Sequence, residues 1–207
     1  MSDKELILVG YSGHGFVVAE AAQASAMNIK HYAELAELDT NPFNLQYLGF
    51  EGDEQFKGWE NDYEFALGIG DNKLRYKIAG FIEEKGQTLV NVIHNSASIA
   101  GKVTIGKGNF VARNASVNPL ASIGNYCILN TACIVEHECL IKDAVHIAPG
   151  AVLAGNVTVG ERTFVGANSV IRQGVTIGKD VIIGAGSVVL NDIPDNEVWF
   201  GNPAKRK

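Results

Sequence analysis

The sequence predicts a parallel β-coil of triangular cross-section, preceded by a small α/β domain. Two observations carry this: an aliphatic residue at every sixth position through the second half, and a strand, glycine loop and helix at the start. The series runs Ile93, Ile99, Ile105, Val111, Val117, Ile123, Leu129, Val135, Ile141, Ile147, Leu153, Val159, Val165, Ile171, Ile177, Ile183 and Val189, without an insertion. Four residues after each aliphatic stands a small or β-branched residue, such as Ala115, Cys127 or Val145, with Asn109 the one larger polar exception.

A period of six fits neither a helix of 3.6 residues per turn nor plain strand alternation. It fits a short flat strand plus a tight turn, three of which close a triangle. The aliphatic points inward, and Gly or Asn takes the strained turn angles. Residues 93–190 then make about five coils, stacked at ~4.8 Å. Cys127, Cys133 and Cys139 fall on the small inward site of consecutive faces and read as buried apolar residues, not metal ligands or a redox pair.

The first unit is taken as residues 1–92, the coil as 93–190 and a C-terminal tail as 191–207. Glu5 to Val9 reads as a strand, Gly10-Tyr-Ser-Gly-His-Gly15 as a loop and Phe16 to Gln23 as a helix. This is the opening of a Rossmann-like βαβ unit, although its spacing is GxxGxG and not GxGxxG. Such a loop brings backbone close to a phosphate at a helix N-terminus. Tyr63 to Gly70 reads as a second strand, Asp71 as the cap of a helix from Asn72 to Lys85, and Thr88 to Ile93 as a last strand. Asn41 to Glu60 is turn-rich and stays loosely assigned.

Hydrophobic residues make up 46% and charged residues 19%, as in globular proteins. The net charge of −6 leaves no basic face for nucleic acid. No apolar run reaches the ~20 residues of a membrane-spanning helix, and the apolar stretch at the N-terminus is too short for a signal peptide. The expected location is cytoplasmic.

The coil register places Glu136, His137 and Glu138 on the outer surface between inward Val135 and Cys139. His146 follows inward Val145 and is likewise expected outside, at a turn. With Asp143 these form the densest titratable cluster of the repeat. His31 and His94 read as surface or strand-end residues, and Asn130 as a turn cap or substrate contact.

Hexapeptide repeats of this kind resemble the left-handed parallel β-helix acyltransferases. The opening GYSGHG, the GIGDN before the second helix and the stretch from Asn130 to Pro149 narrow the likeness. They are similar to bacterial sialic acid O-acetyltransferases and nucleotide-sugar 4-amino N-acetyltransferases. Gly201-Asn-Pro-Ala-Lys205 is typical of the wider class. The resemblance implies acetyl-CoA as cosubstrate, no metal, His137 as general base and Glu138 as the acid that polarises it. It implies His146 and backbone at Gly155, Ala167 and Ala185 along the acetyl-CoA groove. Ser12, Gly13, His14 and Gly70 are implied to hold the nucleotide of a UDP-type sugar. It also implies a homotrimer with sites between neighbouring rods. After its second strand this chain, reading IKHYAELAE from Ile29, lacks the acidic pair common in the family.

Acetyl transfer to an amine or hydroxyl requires loss of a proton as the acceptor attacks the thioester, and imidazole titrates near working pH. A neighbouring carboxylate fixes its tautomer. No Ser or Cys nucleophile is implied, so transfer is expected to be direct, in a ternary complex. The oxyanion donor is left open between His146 and a backbone N–H. N-acetylation of a 4-amino deoxysugar leads, because the glycine loop suits a nucleotide diphosphate; O-acetylation of sialic acid is the alternative. A zinc hydratase needs three histidines where two lie together, and a non-catalytic binding protein does not need the His137–Glu138 pair.

Overall fold

The computed structural model describes residues 4–60 and 62–207. In the first unit β1 (Leu6–Val9), β2 (Ile29–Ala33), β3 (Gln46–Tyr47), β4 (Glu64–Leu67) and β5 (Thr88–Leu89) form one parallel sheet in the order β3-β2-β1-β4-β5. Two helices cover it: α1 (Gly13–Ala24) and α2 (Asn72–Glu84). Alternation along β1 sorts the contacts. Leu6 and Leu8 pack with Val18, Ala19 and Ala22 of α1, while Ile7 and Val9 pack with Ala79 and Ile82 of α2. Asp71 caps α2, its carboxylate accepting the Leu74 N–H at 2.8 Å.

α1 starts three residues earlier than its sequence suggests. Gly13, His14 and Gly15 form its first turn, so the loop is short. A side chain at Gly15 would run into the Gly10 carbonyl oxygen, and one at Gly68 would strike the same atom. These glycines let strand ends and helix meet; they are not all phosphate ligands. The turn-rich segment holds β3 and a single 3-10 turn, Lys57–Trp59.

The rest of the chain is a left-handed parallel β-helix of two-residue rungs, from Val92–Ile93 to Val188–Val189. Each rung pairs in parallel with the one a coil later, as Ile128 with His146 and His146 with Phe164. The expected aliphatics line the interior. The left-handed backbone position is not the glycine after the aliphatic. It falls two residues later, as at Asn114 (φ 57°), Glu138 (φ 61°) and Asn156 (φ 57°). The glycine after the aliphatic instead keeps successive coils close: a Cβ on Gly160 would lie 2.5 Å from the Gly178 carbonyl carbon.

The faces carry six, five and eight strands, so the rod exceeds the expected five or so coils. The cause lies in residues 191–207, expected as a tail. Val198–Gly201 adds a parallel rung to the longest face and Ala204–Arg206 returns antiparallel beside it. Trp199 and Ala204 then close the end of the core. All three cysteines are buried free thiols. Burial pushes Cys127 and Cys133 up to about 12, far from thiolate chemistry. Among the described residues, no helix is long and apolar enough to cross a membrane.

The first unit sits on the eight-stranded face and both adjoining corners. Phe110, Ala112 and Ile128 join the α1 cluster, and Tyr126 and Ala144 join the α2 cluster. Arg75 of α2 fastens the junction and is almost wholly buried. Its Nε donates to the Tyr126 carbonyl (2.7 Å) and Nη2 to the Ala144 carbonyl (2.9 Å) and Asn72 Oδ1 (2.9 Å). Its Nη1 donates to the Gly70 (3.0 Å) and Ile69 (3.2 Å) carbonyls. One guanidinium thus ties helix, strand end and rod together.

Candidate active site

His137 stands at the corner between the six- and five-stranded faces, where the left-handed Glu138 turns the chain. Its side chain is half exposed, and Nδ1 lies 3.0 Å from Glu138 Oε2. A carboxylate there takes the Nδ1 proton in a hydrogen bond and leaves the Nε2 lone pair outward, the form a general base needs. The ring lies over Gly155, one coil on: a Cβ at Gly155 would sit 2.5 Å from both Cε1 and Nε2. Asp143, expected in this cluster, belongs to the next corner, where it accepts the Asn125 N–H at 2.8 Å.

His146 projects from the rod but is not outside at a turn. It lies within a rung and is buried, because the first unit covers that face. Its Nε2 meets Asn130 Nδ2 at 3.0 Å and its ring stands edge-on to Phe164. The amide can only donate there, so the proton is assigned to Nδ1. His14 approaches from α1, with ring centroids 6.2 Å apart. His14 Nε2 and His146 Nδ1 are buried and make no hydrogen bond of ordinary geometry among the described residues, the Gly70 backbone being the nearest acceptor to His146. Burial, reinforced by the Arg75 charge, pushes His14 down to about 4 and His146 to about 3, so both are neutral near pH 7. Gly70 completes the group; its Cβ would contact the His14 Cβ at 3.6 Å.

His31 and His94 are also buried, not superficial. His31 Nε2 meets Glu5 at 2.7 Å, and His94 Nδ1 accepts the Ser96 N–H at 3.0 Å.

Ser12, Gly13, His14, Gly70, Asn130 and His146 therefore come together on one side. His137, Glu138 and Gly155 lie at the corner facing away from the first unit. Ala167 and Ala185 occupy successive turns at a third corner, and the Ala167 carbonyl accepts the Gly186 N–H at 2.8 Å. Their own N–H groups have no partner among the described residues.

A cleft of 530 Å³ opens at the C-terminal ends of the first unit's strands, between Ser12, His14, Glu34, Glu51, Gly70 and Lys77. Here the sheet order changes direction between β1 and β4, the place where such sheets bind ligands. α1 presents its N-terminus to it: Ser12 makes no side-chain cap, and the N–H groups of Gly13 to Gly15 have no partner among the described residues. A second cavity of 340 Å³ runs from Gly70 past Phe164 and Ile182. Among the described residues, no three His, Cys, Asp or Glu side chains group to hold a metal ion.

Residues 5–82 match the PglD N-terminal domain, and residues 156–191 match the bacterial transferase hexapeptide repeat. The whole chain superposes on a mutant of perosamine N-acetyltransferase from Caulobacter crescentus in complex with CoA and GDP-perosamine. The TM-score is 0.94, with 33% identity over 100% of this chain and 98% of that one. The chain belongs to the hexapeptide-repeat sugar acetyltransferases. This sugar acetyltransferase is also similar to the acetyltransferase domain of PglB from Neisseria gonorrhoeae in complex with acetyl coenzyme A, at 32% identity over 100% of both chains and TM-score 0.93. A curated relative is the GDP-perosamine N-acetyltransferase of Escherichia coli O157:H7, 30% identical over 105 residues. That match spans 51% of this chain and about half, 48%, of the relative. The perosamine relatives are named for a GDP-linked sugar, where the sequence leads to the expectation of a UDP-type nucleotide.

The Asn130–His146 contact and the burial of His146 by the first unit were not foreseen from the sequence. Nor was Glu51, which lies in the segment with no periodicity. The rung register showed which way His146 projects, but nothing in it showed what covers that face.

Proposed function

We propose that this chain transfers the acetyl group of acetyl-CoA to the 4-amino group of a GDP-linked deoxysugar. One observation carries the reading: the cleft that joins the uncapped N-terminus of α1 to Gly70 and to His14, whose ring neighbours that of His146. Unpaired N–H groups at a helix start suit a diphosphate, and free sialic acid carries none. The likeness to relatives that hold CoA with GDP-perosamine supports the same reading along the full chain.

Ser12 and Gly13 hold the diphosphate, and Gly70 and His14 the sugar side of it. Acetyl-CoA lies along the coils, its pantetheine amides accepting from the free N–H groups of Ala167 and Ala185. His146 stands near the thioester, kept in place by Asn130. The amine nitrogen attacks the thioester carbonyl carbon while Nε2 of His137 takes the amine proton. The C–N bond forms, the C–S bond breaks, and the proton passes to the departing thiolate. Glu138 holds the tautomer and stabilises the imidazolium.

The base and the cleft of one chain lie on opposite sides of the rod. A working site therefore takes its cleft from one chain and His137 with Glu138 from another, as a closed ring of three rods provides. The test is release of CoA thiol in the presence of GDP- and UDP-linked 4-amino sugars and free sialic acids. Turnover confined to GDP-linked amino sugars is expected; turnover confined to free sialic acid removes the reading.

A further inference from the structure

The cleft holds three carboxylates, and two are occupied. Asp71 caps α2. Glu34, directly after β2, accepts the N–H groups of Tyr11 (3.1 Å) and Leu35 (3.0 Å). Glu51 is different. It is 6% exposed, lines the cleft, and has its own backbone N–H as its one donor among the described residues, with no cation beside it. Its carboxyl is held above the usual carboxylate range by burial, with the nearby Glu34 adding to it. A buried carboxylate with a single donor keeps acceptor capacity that a ligand's N–H groups can fill.

Its place in the sheet narrows the ligand. From the β1–β4 crevice outward, the cleft runs past Ser12 and Gly70, then Glu34 at the end of β2, then Phe50 and Glu51 beyond β3. A nucleotide with its diphosphate at the α1 N-terminus puts its ribose near the end of β2. Its base then reaches the region beyond β3. Guanine alone among the common bases presents two adjacent donors, N1–H and the 2-amino group, which a carboxylate accepts together. Uracil offers one N–H between two carbonyls, and those repel a carboxylate. Phe50, beside Glu51, supplies an aromatic face in the same wall.

We propose that Glu51 reads the guanine base and makes this site selective for GDP-linked over UDP-linked sugars. The inference rests on the nucleotide-sugar reading of the cleft but is tested by binding alone. Calorimetric titration with GDP, IDP and UDP separates the contacts, because inosine lacks only the 2-amino donor. The wild-type protein is expected to bind GDP about tenfold or more tighter than IDP, and UDP weakest. Glu51→Gln is expected to lose tenfold or more in GDP affinity, keep its UDP affinity and keep its acetyl-CoA affinity, the last reporting an intact fold. Equal losses for all three nucleotides assign Glu51 to the ribose and overturn the proposal. So does a wild-type protein that does not distinguish GDP from IDP, whatever the variant does. Selective GDP binding without turnover of any GDP-linked amino sugar leaves Glu51 as the base reader and removes the acetyltransferase reading instead.

Discussion

The imidazole of His137 lies directly over Gly155, leaving no room for a side chain on the coil beneath it. Gly155 has ordinary backbone angles, so alanine there costs the fold little, but its methyl group displaces the ring. Gly155→Ala is expected to lower kcat by about 10² or more with Tm within a few degrees of wild type. Steady-state kinetics beside a thermal melt check this; unchanged kcat shows that the ring does not need that floor.

The buried pair His14 and His146 makes stability depend on pH. In the unfolded chain both titrate near 6.5; in the folded chain they titrate at about 4 and about 3. Between those values the unfolded state binds more protons, so their contribution is complete above ~6.5 and is lost as pH falls towards 4. A loss of about 2 kcal/mol or more between pH 7 and pH 5 is expected. Replacing both by Asn is expected to flatten that slope in denaturant titrations.

Arg75→Met removes every donor that holds the first unit to the rod through the Tyr126 and Ala144 carbonyls. Buried carbonyls left unpaired cost about 1–3 kcal/mol each. The expected destabilisation is about 3 kcal/mol or more by urea unfolding, with a higher KM for the sugar nucleotide because Gly70 is released. Arg75→Lys restores little, since an ammonium cannot reach carbonyls on both sides.

The rod was legible because one inward residue per six leaves a mark that no other fold produces. The same register put His137 outside and the cysteines inside. What it could not show is which outward residues a second unit covers. His146 and His94 project from the rod, and the docking of the first unit buries them. The C-terminal rung escaped notice because the period shortens by two residues after Val189, so that Ile193 and Trp199 stack on Ile177 and Ile183 at a spacing of 16 and not 18. Glu51 sits in a turn-rich stretch, where the local pattern gives no direction for a side chain.

The proposed sharing of each site between two chains predicts complementation. Gly13 has open space at its Cβ position and ordinary backbone angles, so Gly13→Val is expected to fold while blocking the diphosphate. Co-refolding equal amounts of Gly13→Val and His137→Ala chains then regenerates intact sites. With random mixing, half the clefts and half the bases are sound, so about a quarter of wild-type activity returns. No recovery above either parent shows that both parts act within one chain.

In the proposed reaction His137 removes the amine proton during acetyl transfer to a GDP-linked amino sugar. The most direct test of that step is kcat for thiol release from acetyl-CoA by wild type and His137→Ala at saturating substrates. Calorimetry on the variant confirms that acetyl-CoA and GDP still bind. The account predicts a fall of about 10² or more in kcat with both affinities kept; turnover within a few-fold of wild type contradicts it.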